Sequence, residues 1–354
     1  MPRTSKSGQR IVSAVLLMLV ATLAGCAQNE ASLASISSDP LPTKVPSGTE
    51  LVFADQNEET QTLMRASGQQ EKVASDTTYA NFLGGPEILE AIRGDAVDLA
   101  YVGDTPPIQA QASGELVPIV AALRTSAPDY QLAVRRGLDI NRLEQLKGRK
   151  IAFAEGTGRQ PFVLRALEKA GLTEQDVELV PLDVENFPDA IETGQVDVAP
   201  LNEPHFTRYM GLSGASAVPG DQLSGLSNGL HYLYVRGGAL ADDAKAAAIR
   251  DFVQRWVAAH QWSLDNPEQW VQAYHVDTQQ LSAADGMNVV KAQGEVTFPP
   301  LDQKLIALQQ ETVDVIYRSG ALPEKLDAHK EFVTKFDPAI AAAVDQVGAS
   351  RGGR

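Results

Sequence analysis

From Glu50 to Leu123 the chain alternates short apolar runs with stretches whose apolar residues recur at helical spacing. The runs ELVFA (50–54), VDLAYVG (97–103) and LVPIVAAL (116–123) are expected strands. Between them, ETQTLMRAS (59–67) and PEILEAIRGD (86–95) are expected helices, the second with Pro86 in its first turn and Gly94 near its end. PPIQAQASG, beginning at Pro106, is a third helix that closes on Gly114. The pattern restarts after Ser126-Ala127-Pro128. YQLAVR (130–135), KIAFAEG (150–156), VELVPL (177–182) and VDVAPL (196–201) read as strands. PFVLRALEKAG (161–171) and FPDAIETGQ (187–195) read as helices, and HYLYVR (231–236) is a late run rich in aromatics and valine. Strand–helix–strand alternation at this spacing predicts parallel pairing through right-handed crossovers, hence an α/β fold. Two such units in succession would bring the carboxyl ends of their strands to facing edges, and a cleft between those edges is where open α/β sheets bind ligands. From Ala239 onward the pattern is almost wholly helical, broken at Asn266-Pro267 and resuming over 301–320 up to Gly320. No fixed-period repeat occurs, which excludes a solenoid.

The first residues follow a different rule. Arg3, Lys6 and Arg10 precede an apolar run, IVSAVLLMLVATLAG (11–25), that is too short to span a bilayer comfortably and reads as a signal peptide. It ends in LAGC, which resembles the lipobox of bacterial lipoproteins; that resemblance makes Cys26 the lipidated first residue of the mature chain. Cys26 is also the sole cysteine, so no disulfide and no Cys/His metal framework is expected. Residues 27–47 are rich in Ser, Ala and Pro without hydrophobic period and read as a tether to the folded body.

Length and charge narrow the function. At 354 residues, with 44% hydrophobic residues, the chain can bury a full core and hold two or three domains. The net charge is −15, and removing Arg3, Lys6 and Arg10 with the signal gives −15 − 3 = −18. So acidic a surface argues against nucleic acid and anionic lipid as partners. A bound anion would have to be held by local dipoles against the global field. Searches for catalytic patterns return little. His205, His231, His260, His275 and His329 are scattered, with no pair at ligand spacing. There is no GxSxG nucleophile elbow and no Walker A loop. GTGRQP begins like a dinucleotide fingerprint, but Pro161 stands where the third glycine is required. No catalytic residue, metal site or cofactor is expected.

Two strand-to-helix turns stand out. In YVGDTPPIQAQASG (101–114), placing Thr105 at the N-cap puts Pro106 at N1 and Pro107 at N2, leaving the N–H groups of Asp104, Thr105 and Ile108 and the Thr105 hydroxyl as donors. In AEGTGRQPF (154–162), Thr157 and Gly158 supply N–H groups and a hydroxyl, and Arg159 a guanidinium able to take two anion oxygens at once. One tip in each unit suggests a two-jawed anion clamp.

The stretch NFLGGPEILEAIRGDAVDLAYVGDTPPIQAQASGELVPIVAAL, with LKGRKIAFAEGTGRQPFVLRALEKAGL and LQQETVDVIYRSGALPEKLD, resembles the substrate-binding proteins of aliphatic sulfonate ABC importers. Taurine-type, nitrate-type and thiamine-precursor binders are relatives of that family. The similarity covers most of residues 50–335, and Gly-Asp-x-Pro-Pro is its most specific segment. The resemblance implies a two-lobed type II periplasmic-binding-protein fold with a hinge and an interlobe cleft. Its lobes would be 48–126 with a return over 235–340, and 127–234, followed by a disordered tail at 341–354. It further implies a monomeric receptor, lipid-anchored through Cys26 on the extracytoplasmic face, that captures a small organic anion and delivers it to a membrane permease. A ligand-sensing lipoprotein and, further off, a secreted enzyme are the competing readings. By position, the resemblance assigns Gln56, Gly85, Asp104 and Thr105 to the lobe-one side of the cleft and Thr157, Gly158 and Arg159 to the lobe-two tip. Asn202, Glu203 and Pro204 fall where sulfonate binders tend to carry Trp-Asp-Pro, and His231 falls near the strand returning to the hinge. Glu203 could meet the amine of a zwitterionic ligand. Trp256, Trp262 and Trp270 lie in the helical region and are expected in packing rather than at the ligand.

Overall fold

The structure, a computed structural model, describes residues 40–352. The expected signal peptide and Cys26 lie outside the described residues, as does most of the tether. Among the described residues, eleven strands form two sheets: β1 (Glu50–Gln56), β2 (Asp76–Phe82), β3 (Leu99–Gly103), β4 (Ile119–Thr125), β5 (Gln131–Val134), β6 (Lys150–Phe153), β7 (Glu178–Pro181), β8 (Val198–Leu201), β9 (Ser216–Ala217), β10 (Leu230–Val235) and β11 (Val296–Thr297). Their orders are β11-β4-β10-β3-β1-β2 and β7-β6-β8-β5-β9. In each sheet three strands are parallel, β2-β1-β3 and β7-β6-β8, and the next strand is antiparallel, β10 beside β3 and β5 beside β8. The antiparallel strand in each case is the first one the chain forms after crossing between lobes. This is the two-lobed type II arrangement, with two crossovers as its hinge.

The second crossover corrects the expected boundary at 234. His231 pairs with Gly103 on one side and Leu123 on the other, so β10 belongs to the first sheet. Leu223 and Leu226 still pack in the second lobe's core, which places the crossing at about residues 227–229. Strand β2, DTTYANF, was not anticipated; it is an edge strand with no fully buried side chain, so its apolar signal is weak. The tail expected from 341 is also corrected: helix Asp337–Gly352 runs through it, because Ala339, Ile340 and Ala343 share one buried face against helix Asp243–Asp265.

Side-chain alternation explains the layering. In the second lobe Leu132 and Val134 of β5 face one core with Phe162, Val163 and Leu167 of helix Arg159–Lys169. Ala133, between them, faces another with Phe187 and Ile191 of helix Phe187–Thr193. A strand buried on both faces needs apolar residues at every position, which is why these segments read as continuous runs. Among the described residues no helix is long and apolar enough to cross a membrane.

The lobes meet on the hinge side through helices Arg159–Lys169 and Gln303–Arg318. Arg318 donates to both Glu168 oxygens at 2.9 and 3.0 Å, and Arg165 Nη2 to Thr312 Oγ1 at 2.7 Å. Next to this junction, Glu331 is 3% exposed and accepts from Gln309 Nε2 at 2.8 Å. Burial pushes its carboxyl up from 4.5 to about 8, against the Gln309 hydrogen bond and helped by Asp104 and Asp327. The folded form therefore holds a proton that the unfolded chain gives up. The stability this proton confers is complete below pH 4.5 and is lost as pH rises to about 8, at a slope of at most about 1.4 kcal/mol per pH unit. Glu331→Gln should flatten that part of the pH dependence of the melting temperature, as thermal-shift scans across this interval would read.

Candidate functional site

A cleft of about 340 Å³ lies between the lobes, lined where strands end. Gln56 ends β1 and Asn57 follows it, Leu83 to Gly85 follow β2, Gly103 ends β3, Val184 and Glu185 follow β7, and Asn202 and Glu203 follow β8. His231 enters from the opposite direction at the start of β10. Of the residues expected at the ligand, Gln56, Gly85, Thr157, Gly158, Arg159, Asn202, Glu203 and His231 line this cleft; Asp104 and Thr105 do not.

Asp104 and Thr105 need a different account. Helix Thr105–Ala112 starts one residue earlier than expected, so Asp104 is its N-cap residue, and Thr105 is fully buried. The Thr105 hydroxyl donates to Asp104 Oδ1 at 3.1 Å. Asp104 Oδ2 accepts from Asn228 Nδ2 at 2.8 Å and from the Thr312 hydroxyl at 2.9 Å. Asp104 thus ties β3 to the second crossover and to helix Gln303–Arg318 of its own lobe. What the Pro-Pro pair does for the site is mechanical. A Cβ added to Gly85 would sit 2.5 Å from Pro106 Cγ, so Pro106 backs the Gly84-Gly85 turn, and only glycine lets the two approach. The lobe-one tip is therefore the start of helix Gly85–Arg93, buttressed by the helix first expected to hold the anion.

The lobe-two turn lines the cleft through Thr157, Gly158 and Arg159. The Thr157 hydroxyl is spent locally, donating to Ala154 O at 2.8 Å and accepting from Arg159 N at 3.3 Å. Gly156 N donates to Gln160 Oε1 at 2.9 Å. The N–H groups of Thr157 and Gly158 take no acceptor among the described residues. Arg159 is held by four neighbours: Nε donates to Pro200 O at 3.2 Å, Nη2 to Asn202 Oδ1 at 2.6 Å, and the guanidinium lies 5.0 Å from the Tyr130 ring centre and 5.6 Å from that of Phe187. Nη1 donates to no acceptor among the described residues. Desolvation lowers the Arg159 pKa, opposed by Tyr130, but an arginine so lowered remains charged at neutral pH. Asn202, at the position of an expected aromatic wall, instead orients this guanidinium. The two tips face each other closely: a Cβ on Gly156 would lie 3.6 Å from Pro86 Cγ and 3.7 Å from Gln109 Cγ of the opposite lobe.

The rest of the lining was not legible as a site. Tyr130 sits under Gly158, where a Cβ would come within 2.6 Å of its hydroxyl. Trp270 lines the cleft and stacks on Tyr274 at 4.8 Å and 7°, which corrects its assignment to packing alone; Trp256 is fully buried, as expected. Tyr101, His260 and His275 also reach the wall from sequence positions with no shared motif. Glu203 Oε2 accepts from Thr207 N at 3.2 Å, so this carboxylate braces helix His205–Met210 rather than standing free. Arg159 is the only Lys or Arg among the lining residues, against Asp55, Glu59, Asp129, Glu185 and Glu203. Among the described residues no group of three or more His, Cys, Asp and Glu could hold a metal ion.

Comparison with known proteins follows from this geometry. The family model described as NMT1/THI5 like matches residues 84–269, just over half of the chain and including both tips. A relative from Escherichia coli (strain K12), named as an aliphatic sulfonates-binding protein, is 28% identical over 253 residues, covering 72% of this chain and 78% of its own. The crystal structure of the periplasmic aliphatic sulphonate binding protein SsuA from Escherichia coli superposes with a TM-score of 0.70 at 24% identity, over 82% of this chain and 100% of that one. The alkanesulfonate-binding protein SsuA from Xanthomonas axonopodis pv. citri, solved bound to MOPS, gives 0.72 at 23% identity, over 82% and 99%.

Proposed function

We propose, from the premise that the chain belongs to the NMT1/THI5 like family, that it is the extracytoplasmic substrate-binding component of an ABC importer for aliphatic sulfonates. The names of its relatives support this reading. The observation that carries it is the placement of Arg159, with Nη1 uncommitted, beside the acceptor-free N–H groups of Thr157 and Gly158 and across from the Gly84-Gly85 helix start.

A sulfonate spreads one negative charge over three oxygens, and this arrangement offers donors to several of them at once. A fork-shaped guanidinium supplies directional bonds and a full charge. Helix starts supply N–H groups and partial positive charge. Both act at short range, so they prevail locally over the net charge of −15. The apolar tail of an alkanesulfonate would run along Leu83, Val184, Leu201 and Phe206, which also line the cleft. Ligand bound to both tips favours the closed arrangement of the lobes by its differential contacts with the two states, and closure removes water from the anion head. Lipid anchoring through Cys26 and delivery of the ligand to a permease complete the proposal. The chain would act as a monomer without turnover.

Calorimetry and thermal shift on the purified protein, with a series of straight-chain alkanesulfonates, test the reading. One-to-one binding is expected, with stabilisation of about 2.7 kcal/mol when free ligand reaches about a hundred times its Kd. Binding of nitrate or a pyrimidine with no response to any sulfonate would overturn it.

A further inference from the structure

Helices Arg159–Lys169 and Gln303–Arg318 join the lobes on one side. A second contact between the lobes lies on the other. Phe206 packs with Phe187 and Ile191, so helix His205–Met210 covers the face of the second sheet opposite helix Arg159–Lys169. From this helix Arg208 Nη2 donates to Gln279 O of the first lobe. Arg208 does not line the cleft, whereas His205 and Phe206 of its own helix and Tyr274 of the opposite lobe do.

Both ends of this contact are fixed to their own lobes. Next to Arg208, the buried Tyr209 donates its hydroxyl to Val134 O at 2.6 Å. That ties the helix to β5, the first strand after the first crossover. Gln279 N donates to Tyr274 O at 2.8 Å, and Gln279 Nε2 to Asn57 O, just past β1, at 3.1 Å. Asn57, Glu58 and Gln280, which adjoin this seat, have φ of 53°, 59° and 57°. Non-glycine residues adopt that conformation rarely, and it persists where the surroundings dictate it. The seat is therefore a shaped turn, and it moves with the first sheet.

We propose that Arg208 is a latch for the closed arrangement of the lobes: its bond to Gln279 O spans the edge of the cleft and sets how long a bound ligand stays, without touching that ligand. Donor and acceptor belong to two bodies that turn about the crossovers, so the bond forms at one lobe angle and breaks when the cleft opens. An interaction present in the closed state alone raises affinity by its own free energy. Encounter precedes closure, so the gain is read in the dissociation rate. A cation at the edge of an acidic cleft could instead steer an anion inward, which would act on the association rate and fade with salt. The guanidinium's engagement by a carbonyl of the opposite lobe favours the latch. Arg208 is thus a positioning residue. The inference rests on the sulfonate reading for its probe and goes beyond it in assigning a role outside the ligand's contacts.

Stopped-flow kinetics with pentanesulfonate should compare the wild type with Arg208→Ala. The variant is expected to release the ligand about fivefold faster or more, with an association rate within about twofold at both low and high salt. Its ligand-free melting temperature should stay within about 2 °C, since Arg208 is exposed. Gln279→Ala, which frees the seat from Asn57, should also speed release, and the double variant should be no faster than Arg208→Ala alone, because both act on one contact. An unchanged release rate in Arg208→Ala, a loss confined to salt-sensitive association, or additive effects in the double variant each overturn the latch and leave the sulfonate site standing. Absence of pentanesulfonate binding by the wild type overturns the two together.

Discussion

Arg159→Ala is expected to weaken sulfonate binding by a hundredfold or more while the empty protein melts within about 3 °C of wild type. The asymmetry has a physical cause. With ligand bound, the guanidinium is the only full positive charge lining the cleft, and its loss leaves an anion among carboxylates. Truncating one partner of a desolvated charge pair costs on the order of 2–5 kcal/mol, and each 1.4 kcal/mol is about tenfold in affinity. Without ligand, Arg159 is a partly buried cation held by Pro200 O, Asn202 Oδ1 and the Tyr130 ring. Those contacts roughly offset its desolvation, so removing it changes the fold little. Arg159→Lys should fall between the two, since it keeps the charge and loses the fork that Asn202 aligns. Calorimetry with an alkanesulfonate and thermal shift without ligand read the two halves separately. A variant that binds normally would remove Arg159 from the site.

Asp104→Ala should do the reverse. It leaves the Thr105 and Thr312 hydroxyls without their acceptor, and the Asn228 amide with only Thr312 Oγ1, in a site where Thr105 and Thr312 are fully buried. Breaking such a network costs on the order of 3 kcal/mol, enough to lower the melting temperature by roughly 5–10 °C. Ligand affinity of the folded fraction should stay within about threefold, because Asp104 does not line the cleft. Thr105→Ala should be milder on stability and equally silent on affinity. Strong loss of affinity in Asp104→Ala with an unchanged melting temperature would restore Asp104 to the ligand.

The two variants mark where reading the chain was sufficient and where it was not. GDTPP and GTGRQP were both visible as strand-to-helix turns carrying Thr and early proline, and both are close to the cleft. Only GTGRQP lines the cleft through its Thr. The difference arises from a single-residue shift in the helix start, which turns Asp104 inward, and from Asn228 and Thr312, more than a hundred residues away in sequence, which supply its partners. Gly85 was assigned from resemblance. Its requirement for glycine is evident only when Pro106 is seen against it.

What the sequence determined by itself is the periodic part. Apolar runs buried on both faces fixed the central strands, and Pro and Gly at helix ends fixed most boundaries to within a few residues. One restart of the pattern made two lobes, with a cleft at the strand ends. These are local signals, because period and capping depend on neighbours a few residues apart. Tertiary structure alone decided that β10 returns to the first sheet, that Trp270 and Tyr274 face the cleft, and that Glu59, His275, Tyr101 and Arg159 share one cavity. Each of those is a pairing across about 40 to 220 residues between segments of different elements, where no spacing rule applies. Their position follows from how the sheets and crossovers pack, and the charge balance of the cleft is set there.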